Sequence, residues 1–174
     1  MYDIPTPSLA GQVSASEWQT RVELAAAYRL MVMHGWDDLI HTHISARIPD
    51  TEYLLINAFG LAFEEVTASN LVKIDIQGNV IDPNSPFSIN PAGFTIHSAV
   101  HIARHADQCA FHVHHADAIA VASLTNGLRP YSQYSAFALA SMAYHDYEGL
   151  AVEADEIKRL QDDLGDANFM LLRN

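Results

Sequence analysis

Residues 41–57 read HTHISARIPDTEYLLIN, and this stretch decides the class of fold. In its first half, apolar residues alternate with polar ones, which is the two-residue period of a strand with one face in the core. The Pro49-Asp50 step favours a turn, and the apolar run Tyr53-Leu-Leu-Ile56 then returns. The stretch is therefore predicted to form a β-hairpin, and a hairpin requires antiparallel pairing in the sheet.

Helices and further strands are predicted on both sides of this hairpin. Capping-box patterns at Ser14 and Ser16 start the first helix, and Gly35 is a natural stop. The predicted elements are a helix over 17–34, the hairpin over 41–57, a second hairpin with strands 72–75 and 80–82, a helix over 94–106, a strand over 109–114, helices over 116–124 and 154–164, and a buried strand over 169–172. Helices spread along the chain can cover both faces of a sheet. The predicted fold is therefore α/β, a three-layer α/β/α domain over 14–174 around a mainly antiparallel or mixed sheet, preceded by an irregular arm over 1–13.

Composition and charge exclude several classes of function. The chain has 174 residues, a formal net charge of -12 and 49% apolar residues. So acidic a protein has no positive surface for nucleic acid or for an anionic membrane. The first residues have no signal-peptide pattern, and no stretch is long and apolar enough to span a membrane. The single cysteine, Cys109, allows no intrachain disulfide and is expected in the core, because it precedes the apolar strand and has no basic neighbours. The chain is predicted to be a cytoplasmic protein that binds neither nucleic acid nor membranes.

The histidines carry the strongest chemical signal. Ten of them exceed the nine lysines and arginines, and His112 and His114 lie two residues apart on a predicted strand. Residues so spaced project from one face, so both imidazoles can converge on one ion such as Zn, Fe, Co or Mn. A pair of half-exposed strand histidines without a metal is the alternative. His97 could support the pair from the preceding helix, whereas His101 and His105 are interpreted as structural.

Six segments resemble, in order, the class II aldolase/adducin family. They are GWDDLIHTHISARI, LLINAFGLAFEEVTASNLVKIDIQGNVI, INPAGFTIHSAVHIAR, CAFHVHHADAIAVAS, AYHDYEGL and FMLLRN. The resemblance covers about residues 18–174, and INPAGFTIH is closer to the adducin-like branch than to the aldolases. It implies a three-layer α/β/α fold, a homo-oligomer, commonly a tetramer with sites between subunits, and a divalent metal in the enzymes. The adducin head domain shares the fold without known catalysis.

The resemblance assigns metal ligands but breaks at the catalytic position. His112 and His114 match the two metal histidines of the family, with Zn the most expected ion and Mn, Fe or Co as alternatives. Where the aldolases have a catalytic Glu, this chain has Gly93, which cannot transfer a proton. The family's third metal histidine follows the Leu-Leu-Arg-Asn strand, so the chain is expected to be a C-terminally truncated form with an incomplete metal site.

The phosphate-binding positions of the family's sugar-phosphate enzymes also differ. They hold His43, Phe59-Gly60 and Pro91-Ala92 here, and only the glycine is retained. The candidate substrate-binding or supporting residues are His43, Asn57, Gly60 and His97.

Two functions are therefore open. The first is a metal-dependent lyase of the aldehyde-lyase type that acts on a small non-phosphorylated carbonyl or carboxylate compound. The second is a non-catalytic, adducin-like oligomerisation or binding domain.

Overall fold

The computed structural model describes residues 6–106, 109–151 and 155–173. The helices are α1 (Ala15–His34), α2 (Pro91–Ala103), α3 (Ala116–Ala122), α4 (Gln133–Leu139) and α5 (Glu156–Leu164), with a short 3-10 helix at Phe63–Glu65. The strands are β1 (His43–Arg47), β2 (Leu54–Ile56), β3 (Val72–Ile74), β4 (Cys109–His112), β5 (Met142–His145) and β6 (Phe169–Leu172). None of the described helices is long and apolar enough to cross a membrane.

The sheet is mainly antiparallel, as predicted. Strands lie in the order β3-β2-β1-β4 and pair antiparallel throughout, while β5 and β6 form a separate parallel pair. All five residues of β1 are buried, because helices cover both of its faces. Ile44 and Ala46 join the apolar core beneath α1, whereas His43, Ser45 and Arg47 make contacts with α2 or the residues beside it. The alternation in the sequence therefore places a row of polar side chains inside the protein.

Tyr28 joins α1 to the two central strands. Its buried hydroxyl accepts hydrogen bonds from the backbone N–H groups of Ile44 at 2.9 Å and Asn57 at 3.1 Å, and it donates to the carbonyl oxygen of Ile44. Burial raises the pKa of the Tyr28 hydroxyl, so it keeps its proton. These hydrogen bonds fix the position of β1 relative to α1.

Several predicted elements differ in extent. Helix α2 begins at Pro91, three residues before the predicted start, because the Asn90 side chain caps it and proline suits the first helical turn. The predicted second hairpin is reduced to β3 and a single bridge between Ile74 and Val80. Strand β4 ends at His112 instead of residue 114. Helix α4 and strand β5 occur where the sequence analysis predicts no regular structure.

Two expectations about burial are wrong. Cys109, expected in the core, is exposed at the start of β4. Strand β6, expected to be buried on both faces, pairs only with β5 among the described strands, and its Phe169 side chain is 53% exposed. Of the predicted N-terminal arm, residues 1–5 lie outside the described residues. Leu9, further along, donates a backbone hydrogen bond to Ser69 at 3.1 Å.

Candidate functional site

The structure brings His112 and His114 together. Their Nε2 atoms lie 3.1 Å apart at the end of β4. Two nitrogen ligands of a tetrahedral zinc are about 3.3 Å apart, given Zn–N distances of about 2.0–2.1 Å, so the pair fits such an ion. His114 lies two residues beyond the end of the strand, so the convergence depends on the turn into α3 and not on a continuous strand. In the same turn the His115 side chain accepts a hydrogen bond from the backbone N–H of Asp117 and caps α3.

Asp38 orients one of these imidazoles. Its carboxylate oxygen accepts a hydrogen bond from Nδ1 of His114 at 2.7 Å, which leaves Nε2 of the neutral ring as a bare acceptor. A metal-binding histidine commonly donates its other ring N–H to a carboxylate, which fixes the tautomer and the orientation of the ring. Asp38 precedes Leu39, whose positive φ of 49° is uncommon for a residue with a side chain. The loop between α1 and β1 therefore holds an unfavourable backbone conformation beside the residue that orients His114.

His43 lies directly opposite His112 on the neighbouring strand. The two residues are register partners of β1 and β4, and their rings stack with centroids 4.7 Å apart and an interplanar angle of 15°. The His43 ring also covers Gly93. A Cβ atom built on Gly93 would lie 2.6 Å from both Cδ2 and Nε2 of His43. The absence of a side chain at Gly93 therefore makes room for the imidazole of His43.

A buried hydrogen-bond chain continues from His43 into the protein. Ser45 Oγ lies 2.5 Å from Nδ1 of His97 and 2.8 Å from Nε2 of His101, and a hydroxyl can donate to only one of them. Nδ1 of His101 is buried and has no hydrogen-bond partner among the described residues. Unpaired buried N–H donors are rarer than unpaired acceptors, so we place the His101 proton on Nε2 and direct the Ser45 proton to His97. His97 then donates from Nε2 to Nδ1 of His43 at 2.8 Å, and the proton of His43 resides on Nε2.

Burial keeps these imidazoles neutral. Burial, followed by the nearby His112 and His114, lowers the pKa of His43 to about 3. Burial and then His114 lower the pKa of His112 to about 4, and burial lowers that of His97 well below its usual value. A histidine must be neutral to bind a metal, so the environment presets the protonation state that a ligand needs.

The other sequence-predicted residues lie elsewhere. Asn57 is bound to Tyr28 through its backbone, and its side-chain oxygen lies 3.0 Å from the Tyr28 hydroxyl. Gly60 is in an exposed turn with a φ of 92°. Neither lines the cavity at the histidines. Asp38 was not predicted, because it is 76 residues from His114 and has no distinguishing motif. His101, interpreted as structural, is fully buried and hydrogen-bonded to Ser45.

A large open cavity of about 1380 Å³ extends from the histidine pair to β5 and β6. Near the pair it is lined by Trp36, His43, Phe59, Pro91 and Ala92. The two arginines that line it are already engaged: Arg104 donates to the Ala167 carbonyl oxygen at 2.6 Å, and Arg173 donates to that of Leu124 at 3.2 Å. This end of the cavity offers neutral imidazoles and apolar side chains rather than a cationic phosphate site.

Comparison with known proteins shows the family. The sequence profile of the class II aldolase and adducin N-terminal domain matches residues 22–174. The chain belongs to the class II aldolase and adducin family. It is 59% identical over 163 residues to a Pseudomonas aeruginosa protein provisionally named an aldolase class 2 protein. The aligned residues are 94% of this chain and 62% of that protein.

Two further matches are an adducin and a bacterial crystal structure. Mouse alpha-adducin is 43% identical over 157 residues, which are 88% of this chain and 21% of the adducin. The crystal structure of an aldolase II superfamily protein from Pseudomonas syringae superposes with a TM-score of 0.92 at 51% identity, over 97% of this chain and 68% of that one. The chain thus spans about two thirds of the length of its bacterial relatives, and it resembles both aldolase-type proteins and adducins.

Proposed function

We propose that His112 and His114 bind a divalent metal, Zn²⁺ in the first place, in a lyase-type site for a small non-phosphorylated carbonyl or carboxylate compound. The observation that carries the proposal is the convergence of the two Nε2 atoms at 3.1 Å with Asp38 hydrogen-bonded behind His114. When bound, such an ion polarises a carbonyl oxygen as a Lewis acid.

The chain's own residues then bind and orient the substrate. The His43 ring is stacked on His112 and lines the cavity, where it can contact a carbonyl or carboxylate compound held at the pair. His97 and Ser45 hold His43 in that orientation from inside the protein. Gly93 offers no proton acceptor, and both arginines among the described residues of the cavity already donate hydrogen bonds to backbone carbonyl oxygens. These features favour a neutral or carboxylate compound over a sugar phosphate.

Metal binding tests the proposal. The purified chain is titrated with Zn²⁺, and His112→Ala should bind one equivalent less than the unsubstituted chain. His105→Ala is the matched control, because His105 is an exposed histidine on the surface after α2. If His112→Ala and His105→Ala bind the same amount of zinc as the unsubstituted chain, the pair is not a metal site. Substrate class is tested by comparing the cleavage of phosphorylated and non-phosphorylated hydroxycarbonyl compounds.

A second candidate function is adducin-like self-association. None of the side chains of α4 is buried, and three aromatic residues on or beside this helix are strongly exposed: Tyr131 at 89%, Tyr134 at 86% and Phe137 at 66%. Exposed apolar patches of this kind often mark protein–protein interfaces. This function predicts a stable homo-oligomer in light scattering that persists in His112→Ala and dissociates in Phe137→Asp. A monomer at micromolar concentration would contradict it.

A further inference from the structure

A second group of possible metal ligands lies at the end of β5, away from the His112–His114 pair. It consists of His145, Glu148 and Glu156, whose ligand atoms all lie within 4.8 Å of one another. His145 is the last residue of β5 and Glu156 the first residue of α5, and both are buried. The group lines the same large cavity, so small ions can reach it from solvent.

His145 is the unusual member of this group. Its Nδ1 donates to the carboxylate of Asp163 at 2.7 Å, which makes Nε2 of the neutral ring a bare nitrogen. That Nε2 is buried and has no hydrogen-bond partner among the described residues. It faces carboxylate oxygens instead, 3.7 Å away on Glu156 and 3.8 Å away on Glu148. A nitrogen lone pair directed at two negative oxygens is unfavourable unless a positive charge lies between them.

Among the described residues, the cation beside these carboxylates is Arg159, which pairs with Glu148 and Asp155 and not with His145. Three carboxylates surround the imidazole, those of Glu148, Glu156 and Asp163, and the guanidinium of Arg159 neutralises one of them. Arg159 holds Glu148 through hydrogen bonds at 2.8, 3.0 and 2.5 Å, which fixes the direction of this carboxylate. A carboxylate oxygen has more than one lone pair, so Oε1 can accept from Arg159 and still contact an ion.

The two distances from Nε2 of His145 are compatible with a shared transition-metal ion. With metal–ligand distances of about 2.0–2.2 Å, two donors on one ion can be at most about 4.4 Å apart, and the separations of 3.7 and 3.8 Å fall within this limit. One imidazole and two carboxylates are ligands typical of Zn²⁺, Mn²⁺, Fe²⁺ or Co²⁺. The carboxylate of Asp163 accepts a hydrogen bond from Nδ1 of His145, in the same way that the carboxylate of Asp38 accepts one from Nδ1 of His114.

We propose that His145, Glu148 and Glu156 form a second divalent transition-metal site that links the end of β5 to the start of α5. The site is independent of the proposed lyase function, because none of its ligands belongs to the His112–His114 pair. Its bound ion joins the strand to the helix across the chain between them, so it stabilises the fold in this region.

Zinc titration of the full chain tests this site. His145→Asn and Glu156→Gln should each bind one equivalent of Zn²⁺ less than the unsubstituted chain, and they should lose part of the zinc-induced rise in thermal midpoint. Asparagine at position 145 has an amide that can still donate to Asp163, so the substitution removes mainly Nε2. Asp162→Asn is the matched control, because Asp162 is an exposed carboxylate of α5 outside the group.

The outcomes separate the two metal sites. Loss of one equivalent in His145→Asn, with none in Asp162→Asn, supports the second site even if His112→Ala changes nothing. Unchanged binding in both His145→Asn and Glu156→Gln overturns it. A proton on Nε2 of His145, and not a metal ion, would then lie between the imidazole and the two carboxylates. Equal losses in His145→Asn and Asp162→Asn also overturn it, because they indicate general binding to an acidic surface. Circular dichroism identifies any variant that does not fold, in which case Glu156→Gln decides.

Discussion

The contact between His43 and Gly93 determines how Gly93→Ala changes the stability of the protein. Whether the substitution stabilises or destabilises depends on the His43 side chain. Gly93 lies inside α2, where glycine is less favourable than alanine by about 0.5–1 kcal/mol, so helix propensity alone predicts that Gly93→Ala stabilises the protein. The new Cβ would, however, lie 2.6 Å from the His43 ring, closer than side chains tolerate. His43 cannot easily move away, because it is hydrogen-bonded to His97 and stacked on His112.

The two effects can be weighed. Overpacking a buried site costs about 1–3 kcal/mol, and loss of the His43–His97 hydrogen bond costs about 0.5–1.5 kcal/mol. After subtracting the gain in helix propensity of about 0.5–1 kcal/mol, Gly93→Ala should lower the free energy of unfolding by about 0.5–4 kcal/mol. For a domain of this size each 1 kcal/mol corresponds to a fall in the thermal midpoint of about 2–4 °C.

A double-mutant cycle in urea isolates the contact. In a His43→Ala background the ring is absent, so Gly93→Ala should become neutral or stabilising by up to about 1 kcal/mol. This reversal of sign is the result expected only if the imidazole fills the space over the glycine. If Gly93→Ala stabilises the unsubstituted chain, or destabilises both backgrounds equally, the geometry described for His43 is wrong.

Three further predictions follow from individual contacts. Asp38→Asn should weaken zinc binding at the histidine pair about 10–100-fold in a calorimetric titration, because the carboxylate behind His114 is lost. Burial lowers the pKa of His101 from 6.5 to about 4, so below pH 6.5 the unfolded chain binds more protons than the folded one and stability falls toward pH 4. In urea unfolding at pH 6 and 5, His101→Gln should reduce this loss by about 1.4 kcal/mol per pH unit. Tyr28→Phe leaves the N–H groups of Ile44 and Asn57 without their acceptor and should cost at least about 2 kcal/mol in urea unfolding at pH 7.

The parts of the fold that could be predicted depend on local patterns. The alternation over 43–48 assigned each residue of β1 to a face, since a strand has a period of two whatever its neighbours are. The capping residue Ser14 and the terminal Gly35 bound α1 as expected. Helix α4 and strand β5 were missed because the stretch from Gln133 to His145 is rich in small apolar residues and shows neither period clearly. Its structure depends on pairing with β6, which lies 27 residues further on.

The candidate site was predicted only where its residues are neighbours in the sequence. His112 and His114 could be paired by their spacing, although the structure achieves the convergence through a turn and not through a strand. Asp38 could not be found in the same way, because its contact with His114 exists only once the loop after α1 lies beside β4. The burial of His101 likewise depends on Ser45 facing α2 from β1.

Two departures from the family that looked separate in the sequence are one feature in the structure. The family resemblance aligns His43 with a phosphate-binding position and Gly93 with the catalytic Glu, and in the structure the ring of His43 fills the space beside Gly93. A carboxylate therefore cannot be restored at position 93 while His43 is present. Gly93→Glu should lower the thermal midpoint sharply, whereas His43→Asn combined with Gly93→Glu should recover at least half of that loss, because asparagine is smaller and frees the space. Differential scanning calorimetry of the two variants and of His43→Asn alone compares them. A single Gly93→Glu variant as stable as the unsubstituted chain would mean that His43 moves freely, and the two positions would then be independent.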